Sequence, residues 1–296
     1  MKTPSLQVTS DMVGSRSAPL EVEVTARMIM NYAAGIGDSN PRHFADDLPE
    51  GIVAPPMMTW ALTWQFSANR LRYWGASGIP DAIAARSVHY TEELEWTRPL
   101  RPGDKLTIDG EIVQLLAHRS GTYVKTRFIG VDASGQRVFT EHVGGLLRDV
   151  RCVGDVDDYV TDAPEVDTDT SRVRTVRLPV HPLAAHVYDG CANIHNPIHT
   201  SRAFARSVGL PDIILHGTAT LALAVREITN TEGGGDPNKV KRLSCSFTAM
   251  VFMQTEAELQ VLGSRETEGL MEVFFQVANH DGKKAIRHGS ITFRRD

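Results

Sequence analysis

The sequence predicts an α+β protein built from two similar units. Four residues of the first half recur 156 positions later: Tyr32, Asn40, Pro41 and His43 return as Tyr188, Asn196, Pro197 and His199. An apolar segment follows each copy, and β-rich runs that flank a tight turn come after it. A repeated order of helix, polar loop, buried helix and antiparallel strands is typical of two fused α+β units.

The apolar segments are the predicted central helices. GIVAPPMMTWALTW occupies residues 51–64, and DIILHGTATLALAV occupies residues 212–225, an offset of 161. The five additional positions fall in SRAFARSVGL, which predicts a short extra helix in the second half. Because both long segments are apolar nearly all round, we expect each to be a helix buried on every side.

The strands are predicted downstream of these helices. TRFIGVDASGQRVFTEHVGGLLR in the first half corresponds to VFFQVANHDGKKAIRHGSITFR in the second, and each has an Asp/Gly turn between two β-rich runs. This pattern indicates one hairpin in each half. KLTIDGEI at residues 105–112 and AELQVL at residues 257–262 have the alternation of further strands.

The repeat divides the chain into an N-terminal unit, a linker and a C-terminal unit. We place the first unit at residues 1–150, the linker at residues 151–172 and the second unit at residues 173–296. The linker is predicted because this segment is rich in Asp and has no apolar periodicity.

Composition and charge argue against several classes of protein. The 296 residues are 42% hydrophobic and 23% charged, as in globular proteins. The net charge of -5 argues against a nucleic-acid partner, since phosphate binding needs a clustered basic surface. No apolar run approaches the roughly 20 residues that span a bilayer, so no membrane association is expected. Three cysteines without C-x-x-C spacing, and no signal peptide at the start, predict a cytoplasmic protein.

The polar motif of the first half resembles the signature of a known protein family. YAAGIGDSNPRHF resembles the D-x-N-P-x-H signature of the MaoC-like (R)-specific enoyl-CoA hydratases and dehydratases, and GLPDIILHGTATLALA resembles the segment leading into their central helix. The resemblance covers both halves and implies a double hot-dog fold, with two antiparallel sheets each wrapped around a long apolar helix. It also implies a hydro-lyase that adds water reversibly to 2-enoyl thioesters and forms (R)-3-hydroxyacyl thioesters.

Asp38 and His43 occupy the acid and imidazole positions of this signature. Hydration needs a partly deprotonated water, a proton for the α-carbon and stabilisation of the enolate charge. We expect Asp38 and His43 to bind one water and to move its proton, in an order that the sequence leaves open. Asn40 and Pro41 lie between them, so a turning loop must bring the side chains together, and Asn40 supports that loop.

In this family a backbone N–H at the start of the central helix stabilises the enolate charge. The resemblance assigns this role to Met57 in the first half, because Pro56 has no N–H. In the second half it assigns Gly217, which follows His216, and both are expected near the substrate.

The second half departs from the signature. Ile194 stands where the acid should be, and isoleucine cannot move a proton. His199 is retained and His195 is added, so this half is predicted to hold an altered second site. The substrate expected from the resemblance is an acyl-CoA or acyl-carrier thioester. The sequence leaves both a monomer and a homodimer of fused chains open.

Cofactor sites are not predicted. The GIG at residues 35–37 fails as a dinucleotide motif, since the third glycine of G-x-G-x-x-G falls on Asn40. His195, His199 and His216 do not predict a metal site, because Pro197 interrupts their spacing.

Two other functions stay open. A hot-dog thioesterase shares the implied fold but needs an acid or nucleophile on the central helix, and neither apolar segment supplies one. An acyl-thioester-binding protein without catalysis is suggested by Ile194 and by the altered helix entrance at Pro55 and Pro56.

Overall fold

The structure, a computed structural model, describes residues 6–47, 49–161 and 173–295. Residues 162–172 of the predicted linker lie outside this range. The described beginning of the predicted linker includes a short strand, β7 (Arg151–Val153), which pairs in parallel with β1 (Gln7–Thr9). Tyr159 then packs against Tyr123 of the first half, with ring centroids 4.7 Å apart.

Within the described residues, ten strands form one antiparallel sheet in the order β2-β4-β5-β6-β3-β9-β12-β11-β10-β8. The strands of the first half are β2 (Leu20–Glu23), β3 (Ser87–Trp96), β4 (Lys105–His118), β5 (Gly121–Asp132) and β6 (Arg137–Arg148). Those of the second half are β8 (Arg174–Pro179), β9 (Val240–Phe247), β10 (Glu256–Thr267), β11 (Leu270–Ala278) and β12 (Lys284–Arg294). The two predicted hairpins, β5–β6 and β11–β12, are confirmed.

The two halves have the same order of strands when each is read outward from the centre of the sheet. The first half runs β3, β6, β5, β4, β2 from the seam, and the second runs β9, β12, β11, β10, β8. The seam itself is the β3–β9 pair, in register from Thr91 opposite Ser246 to Glu95 opposite Arg242. The repeat in the sequence is therefore a repeat in the fold, joined through one continuous sheet.

Helices cover one face of this sheet. The helices are α1 (Ala26–Gly35), α2 (Met58–Ala68), α3 (Arg70–Tyr73), α4 (Asp81–Ala84), α5 (Ala184–Ala192), α6 (Pro197–Thr200), α7 (Arg202–Ser207) and α8 (Gly217–Thr231). Helix α7 confirms the extra helix predicted in the second half. Helices α2 and α8 are the central helices, and most of their side chains are buried in a core shared by both halves. None of the described helices is long and apolar enough to cross a membrane.

The central helices begin later than their apolar segments predict. Helix α2 starts at Met58, and residues 51–56 are irregular. Pro55 and Pro56 explain this start, because the residue before a proline disfavours helical geometry and proline itself suits only the first turn. Helix α8 likewise starts at Gly217, six positions into its segment. The prediction of a helix over each whole segment was therefore wrong at its beginning.

Equivalent residues of the repeat contact each other where α1 meets α5. The hydroxyls of Tyr32 and Tyr188 are 3.2 Å apart, and the rings pack edge to face at 5.8 Å. Gly35 and Cys191 are also 156 positions apart, and a Cβ on Gly35 would lie 2.6 Å from the Cβ of Cys191. Helices α1 and α5 thus pack closely, and the loops that follow them are held near the opposite half.

Candidate active site

The loop after α1 carries the predicted acid and imidazole. Thr25 caps the start of α1 by accepting a hydrogen bond from the N–H of Met28 at 3.2 Å. The helix ends at Gly35, and Gly37 two positions later adopts the left-handed region at φ 62°, where glycine is favoured. The N–H of Asp38 then donates to the carbonyl of Ala33 at 2.9 Å, so this hydrogen bond fixes the backbone of the acid against the end of the helix.

A short 3-10 turn, Pro41–His43, brings the imidazole back over the acid. The side chain of Asn40 caps this turn by accepting from the N–H of Arg42 at 3.0 Å. Proline suits the first position of such a turn because its missing N–H is not needed there. This local structure agrees with the loop predicted from the sequence.

Asp38 and His43 form a buried pair. The distance between Asp38 Oδ2 and His43 Nε2 is 3.3 Å, and the two residues are 5% and 1% exposed. His43 Nδ1 donates to the carbonyl of Val53 at 2.7 Å, since a carbonyl can only accept. Nδ1 therefore carries a proton, and Nε2 is the nitrogen that faces the acid. One water can lie within hydrogen-bond distance of both Oδ2 and Nε2.

The carboxyl of Asp38 is held in its ionised form. Burial alone raises its pKa, but hydrogen bonds from His43 and from the backbone N–H of Asn40 act in the opposite direction. The charge of His43 and a hydrogen bond from Asn230 lower it further, so the pKa lies below its ordinary value of 3.8. Asp38 is consequently a carboxylate at neutral pH.

The second half contributes directly to this loop through α8. Asn230 Nδ2 donates to Asp38 Oδ1 at 3.2 Å, and Asn40 Nδ2 donates to Asn230 Oδ1 at 2.7 Å. Asn40 also donates to the carbonyl of Gly235 at 2.9 Å. Arg226 Nη1 donates to the carbonyls of Ile36 and Gly37 at 2.5 and 3.2 Å. The site in the first half is therefore built from both halves.

The start of α2 is connected to the imidazole through Val53. The N–H of Val53 donates to the carbonyl of Arg42 at 2.9 Å, and its carbonyl accepts from His43. Met57, the predicted enolate-stabilising residue, is buried and lies at the N-cap of α2, four positions after Val53. The first N–H groups of a helix have no partner within the helix, so this end favours negative charge.

A small recess opens at the same helix end. Pro56, Thr59 and Trp96 of the first half line it, together with Pro237 and Val240 of the second. Trp96 Nε1 donates to Thr59 Oγ1 at 2.9 Å, which fixes the indole against α2. The helix N-terminus is therefore bordered by apolar side chains from both halves.

The second half repeats the imidazole geometry without the acid. His199 Nδ1 donates to the carbonyl of Ile214 at 2.9 Å, as His43 does to Val53. Ile194 occupies the acid position and is 2% exposed. His216, at the N-cap of α8, stacks on His199 with ring centroids 3.7 Å apart. Gly217 follows it as the first residue of α8.

Both imidazoles of the second half are held neutral. Burial lowers the pKa of His199 to about 4. Burial and the neighbouring His199 lower the pKa of His216 to about 2. Neither ring nitrogen of His216 has a hydrogen-bond partner among the described residues. His195 does not join this pair, because its side chain is 75% exposed and lies 3.4 Å from Asp189.

Sequence reasoning missed the residues that reach the loop from the other half. Asn230 and Arg226 lie 189 to 192 positions from the groups they contact, so no local spacing relates them. The remaining signal is weak: Asn69 is equivalent to Asn230 at the 161 offset, which marks the end of both central helices with the same residue. The described residues contain no group of three or more His, Cys, Asp or Glu arranged to hold a metal.

Comparisons with known protein families agree with both halves of this architecture. Residues 164–285 match the family model described as "MaoC like domain". Residues 11–141 match the model described as "FAS1-like, dehydratase domain region". The second half is therefore similar to MaoC-like domains, and the first half is similar to a dehydratase region.

Solved structures show the same fold. A MaoC-like dehydratase from Phytophthora capsici aligns with a TM-score of 0.80 at 23% identity, over 98% of this chain and 100% of that one. Rv0216 of Mycobacterium tuberculosis, described as having a double hotdog fold, aligns with a TM-score of 0.62 at 14% identity, over 95% and 96%. The chain therefore has the double hot-dog fold of these structures, and its predicted resemblance to MaoC-like dehydratases is confirmed.

Curated relatives match over different lengths. "3-hydroxyacyl-thioester dehydratase Y" of Mycobacterium tuberculosis is 24% identical over 95% of this chain and 95% of its own. "Enoyl-CoA hydratase 2, peroxisomal" of Arabidopsis thaliana is 41% identical, over 34% of this chain and 31% of its own length. "Fatty acid synthase beta subunit hexB" of Dothistroma septosporum is 30% identical over 36% of this chain, and the match spans only 6% of that subunit.

Proposed function

We propose that this protein is a hydro-lyase that adds water reversibly to 2-enoyl thioesters and forms (R)-3-hydroxyacyl thioesters. The observation that carries the proposal is the buried pair of Asp38 Oδ2 and His43 Nε2, 3.3 Å apart beside a helix N-terminus. The names of the relatives, a 3-hydroxyacyl-thioester dehydratase and an enoyl-CoA hydratase, support the same reaction class.

In the hydration direction, one water is bound between Asp38 Oδ2 and His43 Nε2. His43 accepts a proton from this water at Nε2, because Nδ1–H is already donated to Val53; in this proposal Nε2 is unprotonated before the reaction, and its hydrogen bond and charge act on Asp38 once it has taken the proton. The water oxygen bonds to C3 as the electrons of the C2–C3 double bond move towards the thioester carbonyl. His43 then returns the proton to C2, so the product has gained one water and both side chains are restored.

Asp38 orients the water and balances the positive charge that develops on His43. A carboxylate with a lowered pKa is a weak base, which supports the assignment of the base to His43. The N–H of Met57 at the start of α2 stabilises the enolate oxygen, as an oxyanion hole does. Asn40 supports the loop through its bonds to Arg42 N–H and to the second half.

In this proposal the second half contacts the substrate but carries out no proton transfer. His199 and His216 are neutral, and Ile194 supplies no acid, so Gly217 and His216 serve as substrate-contacting groups at most. His195 has no role, since its side chain lies in solvent. The thioester carrier is CoA or an acyl carrier protein. The three cysteines are unpaired, which supports a cytoplasmic setting.

Hydration of crotonyl-CoA and of a longer trans-2-enoyl-CoA, followed by loss of enoyl-thioester absorbance, tests the proposal. Asp38→Asn and His43→Gln should each reduce kcat/KM by about 10²- to 10⁴-fold. His199→Gln is the matched control at the equivalent position of the repeat and should stay near wild type. Wild-type turnover in both first-half variants, or thiol release in place of hydration, contradicts the proposal.

A further inference from the structure

The contact between Asn230 and Asp38 joins the acid of one half to the central helix of the other. Asn230 lies in the last turn of α8, and its Nδ2 is 3.2 Å from Asp38 Oδ1. The backbone N–H of Asn40 donates to the same oxygen at 3.0 Å. With Oδ1 engaged by two donors, Oδ2 is the oxygen that faces His43.

The orientation of the Asn230 amide follows from two backbone groups, of which one can only donate a hydrogen bond and the other can only accept one. The N–H of Arg42 can only donate, so the Asn40 atom that it contacts is the oxygen. The carbonyl of Gly235 can only accept, so the other end of the Asn40 amide is the nitrogen. That nitrogen also donates to Asn230, which leaves the Asn230 Nδ2 to face Asp38.

Among the described residues, the equivalent residue of the other central helix makes no such contact. Asn69 follows α2 at the position that matches Asn230, and its Nδ2 donates to the carbonyl and side chain of Gln65, four residues earlier. The loop of the second half carries Ile194 at the acid position and offers no carboxylate. Two asparagines in equivalent positions thus differ in whether a carboxylate stands opposite them.

We propose that Asn230 is a positioning residue that fixes the rotation of the Asp38 carboxylate, so that the second half completes the catalytic pair of the first. The inference rests on the hydratase function proposed above. Asn230 acts through Asp38 and contacts no reacting atom. Its donated hydrogen bond favours the ionised carboxylate and directs Oδ2 towards His43 and the bound water.

Asn230→Asp separates positioning from structural support. The new carboxylate can still accept the hydrogen bond from Asn40 Nδ2, so the loop keeps its anchor. It cannot donate to Asp38, and it adds a like charge beside it. We expect kcat to fall by about 10- to 100-fold, the usual range for a supporting hydrogen bond at a reactive group. KM for crotonyl-CoA should change little, and the acidic limb of the kcat/KM profile should move up by about one pH unit or more.

Asn69→Asp is the matched control and should leave kcat and the pH profile at wild-type values. Asn230→Ala provides a second variant in case Asn230→Asp does not fold. It removes the donor without adding charge, and we expect a loss of kcat with a smaller shift of the acidic limb. Thermal melts identify the variants that fold. Wild-type kcat and pH profile in a folded Asn230 variant overturn the inference.

A readout independent of turnover separates this inference from the proposed function. The Asp38 carboxyl ¹³C resonance, followed against pH, should titrate at a higher pH in Asn230→Asp than in wild type and at the wild-type pH in Asn69→Asp. If wild type does not hydrate any enoyl-CoA but this resonance shifts, the positioning role stands and the hydratase proposal fails. If hydration is present and the resonance does not move, the positioning role fails.

Discussion

His216 is a buried imidazole that remains neutral in the folded protein. Its pKa of about 2, and that of about 4 for His199, lie below the ordinary value of 6.5. The unfolded chain therefore binds protons below pH 6.5 that the folded chain does not bind. The stability supplied by these groups is present above that pH and is lost as the pH falls towards the folded-state values.

We expect these imidazoles to contribute a decrease in the free energy of unfolding between pH 7 and pH 5, of up to about 1.4 kcal/mol per pH unit for each. His216→Phe should make this decrease smaller, because one of the buried imidazoles no longer binds a proton on unfolding. Urea denaturation at several pH values measures the slope. His195→Phe, at a solvent-facing position, is the control and should keep the wild-type slope. An unchanged slope in His216→Phe contradicts the prediction.

The residues that carry local signals could be predicted from the sequence. Asp38, Asn40 and His43 lie within six positions, and the repeat shows which of them the second half has kept. Asn230 could not be predicted, because its role depends on how α8 crosses the loop of the other half. His195 shares its segment with His199 but faces outwards, since spacing alone does not determine which side of an irregular loop a side chain takes.

The packing of α1 against α5 depends on a glycine. A Cβ at Gly35 would lie 2.6 Å from the Cβ of Cys191, which is closer than two such atoms can approach. We expect Gly35→Ala to destabilise the protein by about 1–3 kcal/mol, the usual cost of overpacking. Thermal or urea denaturation measures the change. Cys191→Gly in the same chain should recover part of it, because the clashing atom is removed.

Gly190 provides the matched control within the same pair of helices. It lies inside α5, and a Cβ there meets nothing within 4 Å. Gly190→Ala should therefore stabilise the protein by up to about 1 kcal/mol, because alanine is the better helix former. If Gly35→Ala is as stable as Gly190→Ala, the two helices are not in close contact at Gly35.

The order of the helices and strands could be predicted from the sequence more reliably than the residues at which they begin and end. Apolar periodicity and the two Asp/Gly turns identified the hairpins β5–β6 and β11–β12, and the insertion in the repeat identified α7. The starts of α2 and α8 were misplaced, because an apolar segment can be buried in extended as well as helical form. Pro55 and Pro56 were the local signal that the first helix begins later.

Two buried carboxyl groups lie beside the seam that unites the halves. Glu92 on β3 and Glu141 on β6 are both 0% exposed. They are diagonal neighbours on one face, since Leu94 is the residue opposite Glu141. Glu92 also stands opposite Cys245 of β9, across the β3–β9 seam. The junction of the two units therefore contains ionisable groups among apolar side chains, including Trp60, which stacks on His89 at 4.4 Å.

The acid pair makes the stability of the whole chain depend on pH. Burial raises the pKa of Glu92 well above 4.5, and burial together with the charge of Glu92 raises that of Glu141. Above pH 4.5 the unfolded chain releases protons that the folded chain retains. The stability supplied by the pair is complete below that pH and is lost as the pH rises through the folded-state values.

Above pH 7 the contribution of the buried imidazoles is constant, so the acid pair can be measured there apart from them. We expect the free energy of unfolding to fall between pH 7 and pH 9, and Glu92→Gln to reduce that fall because its amide does not ionise. Glu95→Gln is the neighbouring control, since Glu95 is half exposed and lies 3.5 Å from Arg242. Equal slopes for Glu92→Gln and wild type would mean that Glu92 retains no extra proton in the folded protein, and the seam would then make no contribution to the pH dependence through this residue.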